Sequence, residues 1–152
     1  MKFLIINGPN LNMLGIREPE IYGKETLDDL MKYVKNYCDP RDIDVQFFQS
    51  NSEGAIIDAI QGALGKFDGI IINPAAYTHT SIAIPDAIRA VSMPAVEVHL
   101  SDITDREDFR KTSYTSSVCI ATVKGKHFDS YLDAVEILAS EVKATAAMHT
   151  EE

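Results

Sequence analysis

The sequence predicts an α/β fold in three layers: a five-stranded parallel sheet with helices on both sides. Three observations predict it. Short apolar runs of strand length recur along the chain, amphipathic helical patterns lie between them, and clusters of polar residues directly follow several of the runs. Strands alternating with helices make βαβ units and hence a parallel sheet.

The strand candidates are 2–7, 43–49, 69–73, 95–100 and 117–123, rich in Val, Ile and Phe. They are nearly continuous in apolar residues rather than alternating, as expected of strands covered on both faces. The first helix is predicted over 26–37, with Leu27, Leu30, Met31 and Val34 at helical spacing and Asp39-Pro40 closing it. The second, over 53–64, puts Ile56, Ile57, Ile60 and Leu64 on one face. The third, over 81–91, is apolar along Ile84, Ala87, Ile88 and Val91, with Pro85 in its first turn. The last, over 128–144, repeats Tyr131, Leu132, Val135, Leu138 and Val142, and a small polar tail over 145–152 is expected to fray. Thr104-Asp-Arg-Glu107 matches a capping box and predicts a short helix over 105–111. Right-handed crossovers leave few topologies. A flavodoxin-like order 2-1-3-4-5 fits best, in a single domain over 1–152, with its switch point between the first and third strands.

At 152 residues, 45% hydrophobic and 24% charged, the composition is that of an ordinary globular domain. No apolar stretch approaches the roughly 20 residues that span a bilayer. The opening Phe3-Leu-Ile-Ile6 is too short for a secretory segment and runs into polar loop residues, so a cytoplasmic protein is expected. A net charge of -9 disfavours nucleic acid or an anionic membrane as partner, while leaving room for a small anion held by local arginines. Cys38 and Cys119 have no metal-ligand spacing and read as reduced thiols. There is no G-x-G-x-x-G and no Walker loop, so no nucleotide cofactor is expected. No His/carboxylate spacing suggests a metal, and no Ser-His-Asp or Cys-His set suggests a nucleophile.

The polar clusters after the strands define the candidate site, since ligands of open α/β sheets bind outside the carboxyl ends of the strands. The connection 8–24 is long for a βα loop. It carries Leu11, Leu14, Ile16 and Ile21, which disordered segments lack, and Gly15 and Gly23 bracket Arg17 and Tyr22. It is either a lid or an Ω-loop packed for structure. A phenol with a pKa near 10 is a poor base at neutral pH, but an adjacent guanidinium favours the phenolate. Tyr22 beside Arg17 is therefore either a tuned base or an amphipathic filler. Glu97 and His99 lie two apart on the fourth strand, hence on one face. Burying an unpaired charge is costly, so they read as a carboxylate holding a general-acid imidazole, or as a satisfied structural pair at the strand end. His79, near Asn73 and before a helix that Ser81 could cap, is either structural or a ligand. Asn73, His79 and Ser101 together suit vicinal hydroxyls and a carboxylate, and the backbone N–H groups of Leu100 and Ser101 could form an anion nest. Of the two arginines on the short helix, Arg110 is the better ligand candidate and Arg106 reads as solvated.

With Asn7-Gly-Pro-Asn10-Leu-Asn-x-Leu-Gly-x-Arg17-Glu-Pro-x-x-Tyr22-Gly23, then Asn73-x-x-x-x-Thr-His79-Thr-Ser81, then Glu97-Val-His99-Leu-Ser101, the chain resembles the type II 3-dehydroquinate dehydratases. The likeness runs from Met1 to about Ser117. It implies a cofactor-independent hydro-lyase of the shikimate or quinate pathways, of flavodoxin-like fold, assembled as a dodecamer built from four trimers. It implies Tyr22 as the base beside the ketone, Arg17 lowering its pKa, and Asn10 holding the water that stabilises the enolate. His99 would protonate the departing hydroxyl, oriented by Glu97. Asn73, His79, Leu100, Ser101 and Arg110 would grip the substrate, and Asp86 would reach towards an adjacent subunit's site. Ile82, Ile84, Pro85 and Ile88 on the third helix exceed one apolar stripe; either the helix is simply well covered within its own subunit, or, as the resemblance implies, it meets a neighbour in the trimer. The chain departs from the family at Ser101-Asp102, where Ser-Asn is usual, and at Thr112, where His is common. The stretch before the last helix, usually Gly-rich, is Lys124-Gly-Lys-His-Phe-Asp-Ser-Tyr131. The alternatives to an enzyme are a non-catalytic small-anion-binding module and a flavin-bearing electron carrier; the latter predicts a yellow protein.

Overall fold

The computed structural model describes residues 1–16, 18–102, 108 and 112–150, with Ile21 and Tyr22 described by their backbone alone. Five strands, β1 (Lys2–Asn7), β2 (Asp44–Gln49), β3 (Gly69–Asn73), β4 (Ala95–Val98) and β5 (Ala121–Val123), form one sheet. Its order is 2-1-3-4-5 and every pairing is parallel. The helices are α1 (Pro19–Tyr22), α2 (Leu27–Cys38), α3 (Glu53–Gly62), α4 (Ala83–Val91) and α5 (Asp129–Thr150).

Successive strand residues feed two separate cores, which is why the strands read as continuous apolar runs. Phe3, Ile5, Ile71, Val96 and Val98 pack with Leu30 and Val34 of α2 and with Val135 and Leu138 of α5. Leu4, Ile6, Ile70 and Ile72 pack with Ile56 and Ile60 of α3 and with Ile84 and Ile88 of α4. Gly69 lets α5 approach the sheet: a Cβ there would lie 2.8 Å from the Leu138 side chain. The fold is therefore the expected three-layer, flavodoxin-like arrangement.

Most element ends follow local signals. Thr26 caps α2 in a capping box, accepting from the Asp29 N–H while the Asp29 carboxylate accepts from the Thr26 N–H. Ser81, one residue ahead of the α4 N-cap position Ile82, accepts from the Ile84 N–H at 3.0 Å. Three expectations need correction. The fifth strand is shorter than 117–123, because Ser116–Val118 form a 3₁₀ turn. There the Ser116 and Ser117 hydroxyls donate back to the carbonyls of Ser113 and Tyr114, and these local bonds compete with a ladder. The last helix continues past Ala144 to Thr150, a stretch containing two alanines, the residue of highest helix propensity. Finally, Ile84, Pro85 and Ile88 are all buried within their own chain, leaving only Ile82 of that group exposed on the third helix. The predicted short helix over 105–111 lies outside the described residues apart from Asp108.

The long first connection is anchored at its start and exposed beyond it. Leu14 is buried in the α2/α5 core, whereas Ile16 is exposed. Glu18 holds a left-handed backbone, and α1 follows with Pro19 at a position where its missing N–H costs nothing. Gly23, at φ +83°, closes α1 immediately after Tyr22.

Candidate active site

The carboxyl ends of β1 and β3 meet at the switch point, where Asn7 pairs in register with Asn73. Both side chains are buried and joined by Tyr131 of α5. The Tyr131 hydroxyl donates to Asn7 Oδ1 at 2.5 Å and accepts from Asn73 Nδ2 at 3.0 Å. Burial pushes the Tyr131 phenol up, against a smaller lowering by Asn73, so it stays neutral. Asn73 Oδ1 also accepts from the Ala75 N–H, and the Asn73 carbonyl accepts from the Gly8 N–H at 2.8 Å. The two loops are so close that a Cβ on Gly8 would stand 2.5 Å from the Pro74 carbonyl oxygen. Tyr131→Phe is expected to leave two buried amides short of a partner, at a cost of about 1–3 kcal/mol for an unsatisfied group. Urea unfolding at fixed protein concentration would show it.

From Asn73 the chain runs through a 3₁₀ turn, Ala75–His79, to the second part of the site. His79 Nδ1 donates to the Thr112 carbonyl at 2.7 Å, which fixes its tautomer. One residue on, the Ser113 hydroxyl donates to Glu97 Oε1 at 2.6 Å. Glu97 is fully buried on β4, and its Oε2 lies 3.2 Å from Nε2 of His99, itself 5% exposed. The two atoms are within ion-pair distance, and neither makes a hydrogen bond to any other described residue. Burial alone would push the Glu97 carboxyl up. Hydrogen bonding from His99 and Ser113, the attraction of His99 and a contribution from Thr122 outweigh it, and hold the group below its ordinary value. The pair is thus a buried carboxylate beside an imidazole at the mouth of the sheet.

The His99 N–H continues the ladder to the Val123 carbonyl, and the buried Leu100 accepts at its carbonyl from the His127 N–H at 2.9 Å. His127 is in turn 3.3 Å from Glu25, just beyond α1. A chain of contacts therefore passes from the Asn73 loop through His79, Thr112, Ser113, Glu97 and His99 to the exit of the first connection. Two departures from the family pattern meet here: Lys124 Nζ lies 3.7 Å from Asp102 Oδ1, so the added negative charge beside Ser101 is accompanied by an added positive one. Both are half exposed, which keeps the pair's contribution small.

Of the sequence-predicted residues, Asn73, His79, Glu97, His99, Leu100 and Ser101 fall along the strand ends as expected. Asn10 sits beyond β1 in a left-handed conformation, its N–H donating to Asn51 Oδ1 at 3.0 Å. Asp86 is exposed on the first turn of α4, apart from the Glu97–His99 group. Arg17 and Arg110, and the side chain of Tyr22, lie outside the described residues. Ser113 and Tyr131 were not singled out by sequence. One is a hydroxyl within a Ser/Thr-rich run, and the other reads as a core position of an amphipathic helix.

The family model described as dehydroquinase class II matches residues 1–139. A protein of Geotalea daltonii, named 3-dehydroquinate dehydratase, is 54% identical over 143 residues, covering 94% of this chain and 99% of its own. One of the same name from Fusobacterium nucleatum is 55% identical, covering 91% and 96%. The crystal structure of a type II dehydroquinase from Butyrivibrio crossotus superposes with a TM-score of 0.89 at 49% identity, over 91% of this chain and 97% of that one. With the expected sheet order, the strand-end residues and similarity over nearly its whole length, this chain belongs to the class II dehydroquinases.

Proposed function

We propose that the protein is a hydro-lyase that removes water from 3-dehydroquinate to give 3-dehydroshikimate, through an enolate and without metal or organic cofactor. The observation that carries this reading is the buried Glu97 carboxylate 3.2 Å from His99 at the end of β4, in a chain whose relatives bear the name 3-dehydroquinate dehydratase. Tyr22, with its phenolate favoured by Arg17, takes the proton beside the ketone. The electrons pass to the carbonyl oxygen, and Asn10 holds a water against the resulting enolate. As the carbonyl re-forms, the bond to the departing hydroxyl breaks, and His99 delivers a proton to that oxygen so that it leaves as water. Glu97 orients the ring. Asn73, His79, Leu100, Ser101 and Arg110 hold the hydroxyls and carboxylate, which places both reacting carbons near the two catalytic groups. The protein is cytoplasmic in this reading, in the shikimate or quinate pathway.

The test is direct. Protein mixed with 3-dehydroquinate should raise ultraviolet absorbance as the conjugated product forms. Folded protein that produces no such rise would sink the proposal.

We further propose a closed homo-oligomer, a dodecamer built as a tetramer of trimers, in which Asp86 reaches a neighbouring site. The support is family membership, together with exposed Ile82 and Asp86 on one end of α4. Light scattering should report the dodecamer at working concentration. A fully active monomer of 16.8 kDa would reject the assembly.

A further inference from the structure

The segment leading out of residues 103–111 is pinned to the site at three consecutive residues. The Thr112 carbonyl accepts from His79 Nδ1 at 2.7 Å, the Ser113 hydroxyl donates to Glu97 Oε1 at 2.6 Å, and the Tyr114 N–H donates to the Thr78 carbonyl at 3.0 Å. The Ser113 oxygen also accepts from the Ser116 N–H at 3.1 Å, so its hydrogen is directed outward to the carboxylate and its rotamer is held by the 3₁₀ turn that follows. Thr115, next in line, is fully buried.

We propose that Ser113 is a positioning residue for the acid: by donating to Glu97 Oε1, it turns Oε2 towards His99 Nε2 and holds the carboxylate in that orientation. The inference rests on the reading of His99 as the general acid. A carboxylate with one oxygen engaged cannot rotate to share both with the imidazole, so the second oxygen has a single position from which to orient the ring. The oxygen count supports this division, since Oε1 is taken by Ser113 and Oε2 faces His99 with no other protein partner among the described residues. Because the same strap carries the His79 contact, it ties one proposed substrate-binding group to the orientation of the acid.

The groups facing Glu97 are His99 just past the end of its strand, the Thr122 hydroxyl on β5, Ser113, and the Cys119 thiol from the turn before β5. The thiol is pushed up to about 12, first by burial and then by the Glu97 charge, and stays neutral. Loss of the Ser113 donor therefore acts on one titrating carboxylate. A donor to the ionised form lowers a carboxyl's pKa, so its removal lets Glu97 protonate at higher pH as the solution is acidified.

The experiment compares Ser113→Ala and Ser113→Thr with the unmodified chain, measuring kcat and KM for 3-dehydroquinate across pH. For Ser113→Ala the expected result is a kcat lower by roughly 10-fold or more, the scale of a lost hydrogen bond to a charged group, with KM changed less than about twofold. The acid limb of kcat should move to higher pH. Ser113→Thr, which keeps the hydroxyl, should restore both. An alanine variant with unchanged kcat and pH profile, or a threonine variant as impaired as alanine, overturns the proposal. Were the unmodified chain inactive on 3-dehydroquinate, the dehydratase reading itself would fail. The Glu97 carboxyl carbon resonance would still decide the positioning role: a titration moved to higher pH by Ser113→Ala supports it, and an unmoved one refutes it.

Discussion

Tyr22→Phe is expected to abolish turnover while leaving substrate affinity nearly intact. The change removes one oxygen from a side chain that, in the proposed reaction, makes its contribution by accepting a proton. An ordinary phenol, with a pKa near 10, is almost entirely protonated at neutral pH. Each unit by which Arg17 lowers that value corresponds to about 1.4 kcal/mol of differential interaction. Gly23 places Tyr22 at the end of α1, beside the exit that Glu25 and His127 join. Paired measurements of kcat and of Kd for substrate settle the role. A large rise in Kd with preserved kcat would make Tyr22 a binding residue and move the base elsewhere.

His99→Ala is expected to lower kcat by about 10²–10⁴-fold, the usual contribution of a positioned general acid. Here the expectation rests on geometry. The imidazole is 5% exposed, and its Nε2 stands 3.2 Å from a fully buried carboxylate held below its ordinary pKa. Truncation also leaves Glu97 buried as an anion with one partner fewer, so folding must be monitored alongside rate. His99→Ala protein that folds, binds substrate and turns over within about threefold of the unmodified rate would exclude the acid role.

The parts of this fold that were legible in sequence are those decided by burial. β1 and β3 were delimited correctly from their apolar runs because both faces are covered, so burial alone sets where each strand stops. Glu97 and His99 stood out for the same reason inverted: charged and polar side chains on a strand that should be apolar. Less legible were features set by hydroxyls making short-range or tertiary bonds. The Ser116 and Ser117 hydroxyls turned part of the expected fifth strand into a 3₁₀ turn, although Val118 and Ile120 fit a strand pattern. Tyr131 occupies a core position in α5, and nothing in its spacing reveals that its hydroxyl joins Asn7 to Asn73. The surplus of isoleucine on α4 suggested an outward face, but the helix packs against α3 as well as the sheet, which buries Ile84 and Ile88 within the chain.

Deuterium exchange into substrate by the His99→Ala variant tests the central claim most directly, because it separates the proposed base from the proposed acid. In heavy water, with 3-dehydroquinate present, Tyr22 should still remove the proton beside the ketone and return a deuteron, while the C–O bond stays closed for want of an acid. Recovered substrate should be one mass unit heavier, with little product absorbance, and Tyr22→Phe should show no exchange. His99→Ala protein that binds substrate yet incorporates no deuterium would contradict it.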